Sequence, residues 1–247
     1  MSRDPRRVIA LDGCLNFRDL GGYPTRDGRR VRWRQVFRSD ALQLLSASDV
    51  ARLRGELRIE RVIDLRSTAE LRSEGRGRLA AEPIQFQHIP LFDGEMQEPE
   101  GNGQEAISLG ERYFLLAQFA MRPIARVIST LAATTAPAVY HCAAGKDRTG
   151  IVSAVVLGLL GVEDDAIVAD YALTQDNLYQ IVARLEAAEG YQTMLAALPP
   201  DTLHAQPETM RALLGKVKAT YRSMEGYALA AGIPAGEIQR LRDRLLE

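Results

Sequence analysis

Residues 139–151, which read VYHCAAGKDRTGI, contain the side chains best suited to chemistry. Cys142 follows a β-type run, and Arg148 stands six positions later, where an apolar helix begins. A tight turn from a strand into a helix points several backbone N–H groups at one spot, and the helix dipole favours an anion there. That potential also favours the thiolate of Cys142, and the planar guanidinium of Arg148 can hold two oxygens of a phosphate. The spacing therefore predicts a phosphoryl-transfer site.

The neighbours of this pair fit the same geometry. Gly145 allows the backbone to approach a phosphate closely, and the Thr149 hydroxyl can donate a hydrogen bond to the sulfur. Lys146 adds positive charge, which favours the thiolate of Cys142. A Walker phosphate loop does not fit, because Asp147 follows the lysine where serine or threonine is required.

The pattern of the whole chain predicts an α/β fold with a central, mostly parallel sheet flanked by helices. Short β-type runs occupy the first half, and the chain is almost wholly helical from about residue 163. Ser46 is predicted to cap a helix. We expect one domain over residues 1–247. The predicted strands are 31–37, 61–65, 84–91 and 137–140, and the predicted helices are 113–119, 124–131, 164–173, 178–188, 207–230 and 235–246. The acidic, glycine-rich stretch 93–110 is predicted to be a long loop.

Composition removes several classes of protein. The 247 residues carry 31 Lys and Arg against 32 Asp and Glu, a formal charge of −1, so no nucleic-acid partner is expected. No stretch has the length and apolarity of a membrane span or a signal peptide, which makes a cytoplasmic location the default, with export that needs no signal peptide left open. Two cysteines and three histidines without ligand spacing predict no metal site, and no cofactor is expected.

Four motifs resemble those of a known family. HCAAGKDRTG at 141–150 is similar to the active-site signature of the cysteine-dependent protein tyrosine phosphatases. NFRDLGGY at 16–23, FRSD at 37–40 and VIDLRS at 62–67 are similar to the atypical bacterial members, which resemble lipid and dual-specificity phosphatases. The resemblance implies a sheet surrounded by helices, with additional C-terminal helices that can cover the pocket.

The resemblance also implies roles for individual residues. Cys142 would be the nucleophile that forms a phosphocysteine, and Arg148 would stabilise the transition state. Asp147 is the preferred general acid, and Asp93, on the predicted loop, is the alternative. The phosphate would be held by residues of the loop itself, namely Ala143, Ala144, Gly145, Lys146, Asp147 and Arg148. Lys146 would add positive charge at the mouth of the site. Supporting roles fall to His141, Thr149, Asp64 and Arg66, of which Asp64 would orient the loop or assist the acid.

These inferences predict a phosphomonoester hydrolase acting on a phosphorylated protein or a phosphoinositide. Two alternatives belong to other classes. One is a pseudophosphatase that binds phosphate without turnover, although the nucleophile and the arginine are both present. The other is a thiol-dependent reductase, which needs a second cysteine within reach of Cys142, and Cys14 is the only one in the chain.

Overall fold

The structure is a computed structural model, and it describes residues 4–93, 107–188, 190–197 and 200–247. Five strands form one mixed sheet in the order β1-β2-β5-β3-β4, with only β1 antiparallel to its neighbour. The strands are β1 (Arg18–Asp19), β2 (Val36–Ser39), β3 (Arg61–Asp64), β4 (Gln85–His88) and β5 (Ala138–His141). Helices flank the sheet, so the predicted fold class is confirmed.

The helices of the first part of the chain are α1 (Ala47–Gly55), α2 (Thr68–Glu74), α3 (Leu109–Phe119), α4 (Met121–Ala133) and α5 (Asp147–Leu159). The later ones are α6 (Asp164–Ala172), α7 (Leu178–Glu186), α8 (Gln192–Ala197), α9 (Pro207–Tyr221), α10 (Met224–Ala230) and α11 (Ala235–Leu245). The expected helical second half is therefore observed within the residues described.

Strand β5 is covered by apolar side chains on both faces. Ala138 and Tyr140 belong to the larger hydrophobic cluster with α3, α4 and α5, whereas Val139 belongs to a second cluster beside α1. Successive side chains of a strand point to opposite faces, so each cluster covers one face of the sheet. Because β5 pairs with β2 on one side and β3 on the other, the residue after His141 emerges between two strand ends.

Several predicted boundaries are corrected. The strand predicted at 31–37 is replaced by Val36–Ser39, because Arg34 adopts a left-handed φ of 59° just before it. The helix predicted at 207–230 is two helices, because Arg222 has a φ of 68° and Ser223 caps the next helix. The loop predicted at 93–110 ends earlier, since Leu109 already belongs to α3, and its residues 94–106 lie outside the described part.

Among the described residues, no single helix has both the length and the apolar character needed to cross a membrane. Helices α3 and α4 reach that length only when taken together, and they are bent by 73° where they meet.

Candidate active site

The loop between β5 and α5 forms a tight turn that begins with Cys142. Gly145 has a left-handed φ of 66°, and a Cβ atom there would lie 2.6 Å from the backbone nitrogen of Asp40. Only glycine fits this position without moving the backbone, since both the conformation and the space exclude a side chain. The loop is thus pressed against the end of β2 before it enters α5.

Carbonyl groups of the loop are held from outside the turn. The Ala143 carbonyl accepts from the Ala41 backbone N–H at 3.0 Å, and the Asn16 amide donates to the carbonyls of Ala144 at 3.1 Å and Gly145 at 3.2 Å. In the described part of the chain, the backbone N–H groups of residues 143–148 donate to no protein acceptor. Such a ring of N–H groups at the start of a helix can bind an anion. The ring consists of the six residues that were predicted to bind the phosphate.

Cys142 lies at the start of this ring and is 2% exposed. The Thr149 hydroxyl donates a hydrogen bond to its Sγ, with 3.1 Å between oxygen and sulfur. A hydroxyl donor and the N-terminus of α5 both favour negative charge on sulfur. The structure therefore brings Thr149 and Cys142 together as the sequence predicts.

Arg148 projects from the first turn of α5 onto a carboxylate that sequence reasoning missed. Its two terminal nitrogens donate to the Glu70 carboxylate at 2.5 and 2.8 Å. Burial acts to lower the pKa of Arg148, but the bonds to Glu70 and the proximity of Cys142 outweigh it and raise the pKa, so the guanidinium stays charged. A guanidinium has five N–H donors, and three are left for a ligand.

Glu70 reaches Arg148 because of the way α2 begins. Ser67 caps this helix, and the Glu70 carboxylate accepts from the Ser67 backbone N–H, which closes a capping box. The Tyr191 hydroxyl also donates to Glu70, at 3.1 Å. The S-x-x-E pattern at 67–70 was available in the sequence, but it indicates a helix start and not the partner of an arginine 78 positions away.

Asp147 is the partly exposed carboxylate of the loop, with 37% of its side chain accessible. The Tyr113 hydroxyl donates to its Oδ1 at 2.6 Å, and the Lys146 Nζ lies 3.1 Å from the same oxygen. Lys146 was expected at the mouth of the site, and this expectation is wrong. The residue is 2% exposed, and its ammonium group binds the Thr202 carbonyl and the Asp147 carboxylate. The positive charge of Lys146 is therefore paired inside the protein.

Asp64, Arg66 and His141 meet below the loop. Arg66 donates to both oxygens of Asp64, the shortest bond being 2.7 Å, and the His141 Nε2 lies 3.6 Å from the same carboxylate. Burial lowers the pKa of His141 to about 4, so the imidazole is neutral near pH 7. Burial alone would raise the pKa of Asp64, but His141 and Arg66 lower it to about 2. Near pH 7 the charge that stabilises this carboxylate comes from Arg66.

Asp93, the alternative acid, lies at the start of α2. Its two oxygens accept from the backbone N–H and the hydroxyl of Thr68, at 2.8 and 2.6 Å. These bonds lower the pKa of Asp93 and hold the carboxylate at a helix N-terminus, where negative charge is favourable. In this structure Asp93 stabilises the helix that supplies Glu70.

A second group of residues that the sequence did not identify supports the loop from behind. Arg38 donates to the Gly145 carbonyl at 2.7 Å and forms an ion pair of the same length with Asp170 of α6. Arg18 contacts Asp170 as well, and all three side chains are at most 2% exposed. Burial would raise the pKa of Asp170, but the two arginines lower it to about 2. This buried network connects β1, β2 and α6 to the loop.

A cavity of about 210 Å³ opens beside Ala143. Its apolar lining comes mainly from Leu44 and from Ile181 and Leu185 of α7, and Tyr191 and Arg184 also contribute. Cys14 packs in the hydrophobic cluster beside α1, where its thiol contacts the Ala41 carbonyl at 3.4 Å, and both cysteines are free thiols.

Comparisons with known proteins identify the family of this chain. The model of the tyrosine phosphatase family matches residues 9–247. Triple specificity protein phosphatase PtpB from Mycobacterium tuberculosis is 32% identical over 279 residues, covering 97% of this chain and 99% of that protein. A tyrosine-protein phosphatase from Nostoc commune is 31% identical over 192 residues, or 74% of this chain and 65% of the relative. The crystal structure of TpbA from P. aeruginosa has a TM-score of 0.44 at 14% identity and covers 94% of this chain and 99% of that one.

The family match includes every element that surrounds the loop, from Asn16 through β5 to α6. The chain belongs to the tyrosine phosphatase family and is a cysteine-dependent phosphatase.

Proposed function

We propose that this phosphatase hydrolyses aryl phosphate monoesters, phosphotyrosine first among them, with Cys142 as nucleophile, Arg148 as the transition-state clamp and Asp147 as general acid. The observation that supports this most is the contact of 3.1 Å between the Thr149 hydroxyl and the Cys142 sulfur, at a turn whose carbonyls are held outward. Such a turn leaves its N–H groups and the guanidinium to stabilise the charge that develops on the phosphoryl oxygens.

The proposed reaction has two steps. In the first, the Cys142 thiolate forms an S–P bond while the P–O bond to the leaving group breaks, and Asp147 gives its proton to the departing oxygen. In the second, water attacks phosphorus, the S–P bond breaks and the thiolate is restored. Asp147, now a carboxylate, takes the proton from that water.

The choice of an aryl ester rests on the surroundings of the loop. The apolar cavity beside Ala143 suits a ring better than a highly charged inositol headgroup. Lys146 is engaged inside the protein, which weakens the reason for expecting phosphoinositide activity from its charge. The relatives named above are a tyrosine phosphatase and a triple specificity phosphatase. A comparison of turnover on a phosphotyrosine peptide, a phosphoserine peptide and phosphoinositide vesicles tests this preference.

The nucleophile is tested by Cys142→Ser. We expect hydrolysis of p-nitrophenyl phosphate to be abolished with the thermal midpoint nearly unchanged, because a hydroxyl has similar volume and lacks an accessible anion. Cys14→Ser is the matched control, since it replaces the other buried thiol and should keep full turnover. Turnover retained by Cys142→Ser would refute the mechanism, and loss of turnover in both variants would mean that hydrolysis needs both thiols.

The general acid is tested by Asp147→Asn. Turnover of phenyl phosphate, whose leaving group is poor, should fall by about 10²–10⁴-fold, while p-nitrophenyl phosphate should be affected much less. Asp93→Asn is the comparison variant and should alter the two substrates equally or not at all. The opposite pattern in the two variants would transfer the role to Asp93.

A further inference from the structure

Tyr113 of α3 contacts the general acid although no sequence motif indicates it. Its side chain is fully buried, its ring packs edge-on against Tyr171 at 5.9 Å, and its hydroxyl meets the Asp147 Oδ1 at 2.6 Å. The Tyr171 hydroxyl lies 2.9 Å from that of Tyr113. Two phenols and one carboxylate thus form a chain that leads from the core to the loop.

The direction of each hydrogen bond in this chain follows from counting protons. A phenol has one hydrogen, and Tyr113 gives its hydrogen to Asp147, because an ionised carboxylate only accepts. The Tyr113 oxygen therefore accepts from Tyr171. Burial and the neighbouring Asp147 raise the pKa of Tyr113 well above its ordinary value, so the hydrogen stays on the phenol through the reaction.

The two oxygens of Asp147 have different surroundings. Oδ1 is approached by the Tyr113 hydroxyl and by the Lys146 ammonium group at 3.1 Å. For Oδ2, the described residues supply no hydrogen-bond donor. With Oδ1 occupied by donors, the transferable proton of Asp147 belongs on Oδ2, and fixing Oδ1 fixes where Oδ2 points.

We propose that Tyr113 is a positioning residue that aims the Oδ2 proton of Asp147 at the leaving oxygen and stabilises the carboxylate left after transfer. This inference rests on the proposed role of Asp147 as general acid. The hydrogen bond gains strength as the acid becomes an anion, because bonds to ionised acceptors are about twice as strong as neutral ones. The gain appears only when the proton has moved, so it accelerates the chemical step and not binding.

The test is Tyr113→Phe, measured with phenyl phosphate and p-nitrophenyl phosphate. We expect kcat for phenyl phosphate to fall about tenfold to hundredfold, the worth of a hydrogen bond to a charged group, with KM unchanged. For p-nitrophenyl phosphate, which needs little protonation, the fall should stay below about threefold. Adding Tyr113→Phe to Asp147→Asn should cause no further change in the ratio of the two rates.

Tyr227→Phe is the matched control, because Tyr227 is also fully buried and its hydroxyl donates at 2.6 Å to the Ala117 carbonyl on the same helix α3. Its loss should lower the thermal midpoint without changing the ratio of the two rates. Equal slowing of both substrates by Tyr113→Phe, or an effect on KM alone, would show a merely structural residue and overturn the inference.

Should Tyr113→Phe fail to fold, 3-fluorotyrosine at position 113 keeps the ring and the hydroxyl but makes the hydroxyl a stronger donor. We then expect the ratio of the two rates to change, and an unchanged ratio would overturn the inference. If Asp147→Asn already slows both substrates equally, the general acid has been assigned wrongly, which is a different failure from that of Tyr113.

Discussion

At the scale of single residues, the loop depends on one backbone position that tolerates no Cβ. Gly145 combines a left-handed φ with a backbone neighbour 2.6 Å from where a Cβ would lie, whereas Gly28 has a φ of 85° and no atom within 4 Å of that point. The two glycines therefore separate the conformational cost of a side chain from its steric effect on the loop. At Gly145 a side chain would meet both the conformational cost and the steric clash, whereas at Gly28 it would meet only the conformational cost.

We expect Gly145→Ala to lower kcat by about a hundredfold, because a displacement of about 1 Å in an oriented site has that effect. Gly28→Ala should reduce the free energy of unfolding by about 1–2 kcal/mol, the cost of a left-handed non-glycine residue, with kcat intact. Steady-state rates and urea denaturation of both variants check this. Normal turnover in Gly145→Ala would mean that the loop accommodates the methyl group.

Residues adjacent in the chain were the ones that the sequence could identify. The signature residues 142–149 lie within eight consecutive positions, so their spacing predicts how they are arranged. They include Cys142, Asp147, Arg148 and Thr149. Tyr113 was predicted only as part of the helix 113–119, because its partner Asp147 lies 34 positions later. Lys146 was expected to add positive charge at the mouth of the site, but its burial depends on the Thr202 carbonyl, which lies 56 positions away in the chain.

At the scale of elements, the buried ion pairs of Asp170 attach α6 to the sheet behind the loop. Arg18 and Arg38 supply two positive charges to one carboxylate, and each lies at least 132 positions from Asp170 in the chain. The sequence predicted α6 close to its observed bounds, but it did not predict β1, and the strand predicted at 31–37 stopped short of Arg38. An arginine on a short strand has the same pattern in solvent or in the core, so its pairing with Asp170 could not be predicted.

Asp170→Asn should lower the free energy of unfolding by about 3–5 kcal/mol, because two buried guanidinium groups lose their counter-charge. Asp165→Asn, a change at a less buried position on the same helix, is the control and should cost less than about 1 kcal/mol. Urea denaturation of both variants measures the difference. Equal stability of the two variants would mean that solvent reaches the arginines.

At the scale of the whole molecule, three carboxylates make the stability of the fold depend on pH. The pKa of Asp64, Glu70 and Asp170 is lowered to about 2 in each case. Burial would raise these pKa values, but the positively charged partners of each carboxylate outweigh it. The corresponding groups of the unfolded chain take up protons near pH 4. The unfolded state therefore binds more protons between these values, and stability rises with pH there.

We expect the thermal midpoint to be highest above about pH 6.5, the ordinary pKa of a histidine, and to fall toward about pH 2, where the three native carboxylates take up protons. His141 acts in the same direction, because its pKa of about 4 lies below that of an unfolded histidine, so acid favours the unfolded chain. Glu70→Gln should show a smaller loss between about pH 5 and about pH 3 than the unaltered protein. A midpoint independent of pH over this range would contradict the buried ion pairs.

The Asn16 amide holds the Cys142 loop from a distant part of the sequence. The amide that holds the loop carbonyls stands 128 and 129 positions before its partners. A gene fragment translated from residue 20 onward would keep every letter of HCAAGKDRTG and still lack the side chain that keeps those carbonyls turned away from the sulfur. The signature by itself therefore does not contain every side chain that holds this loop in its observed conformation.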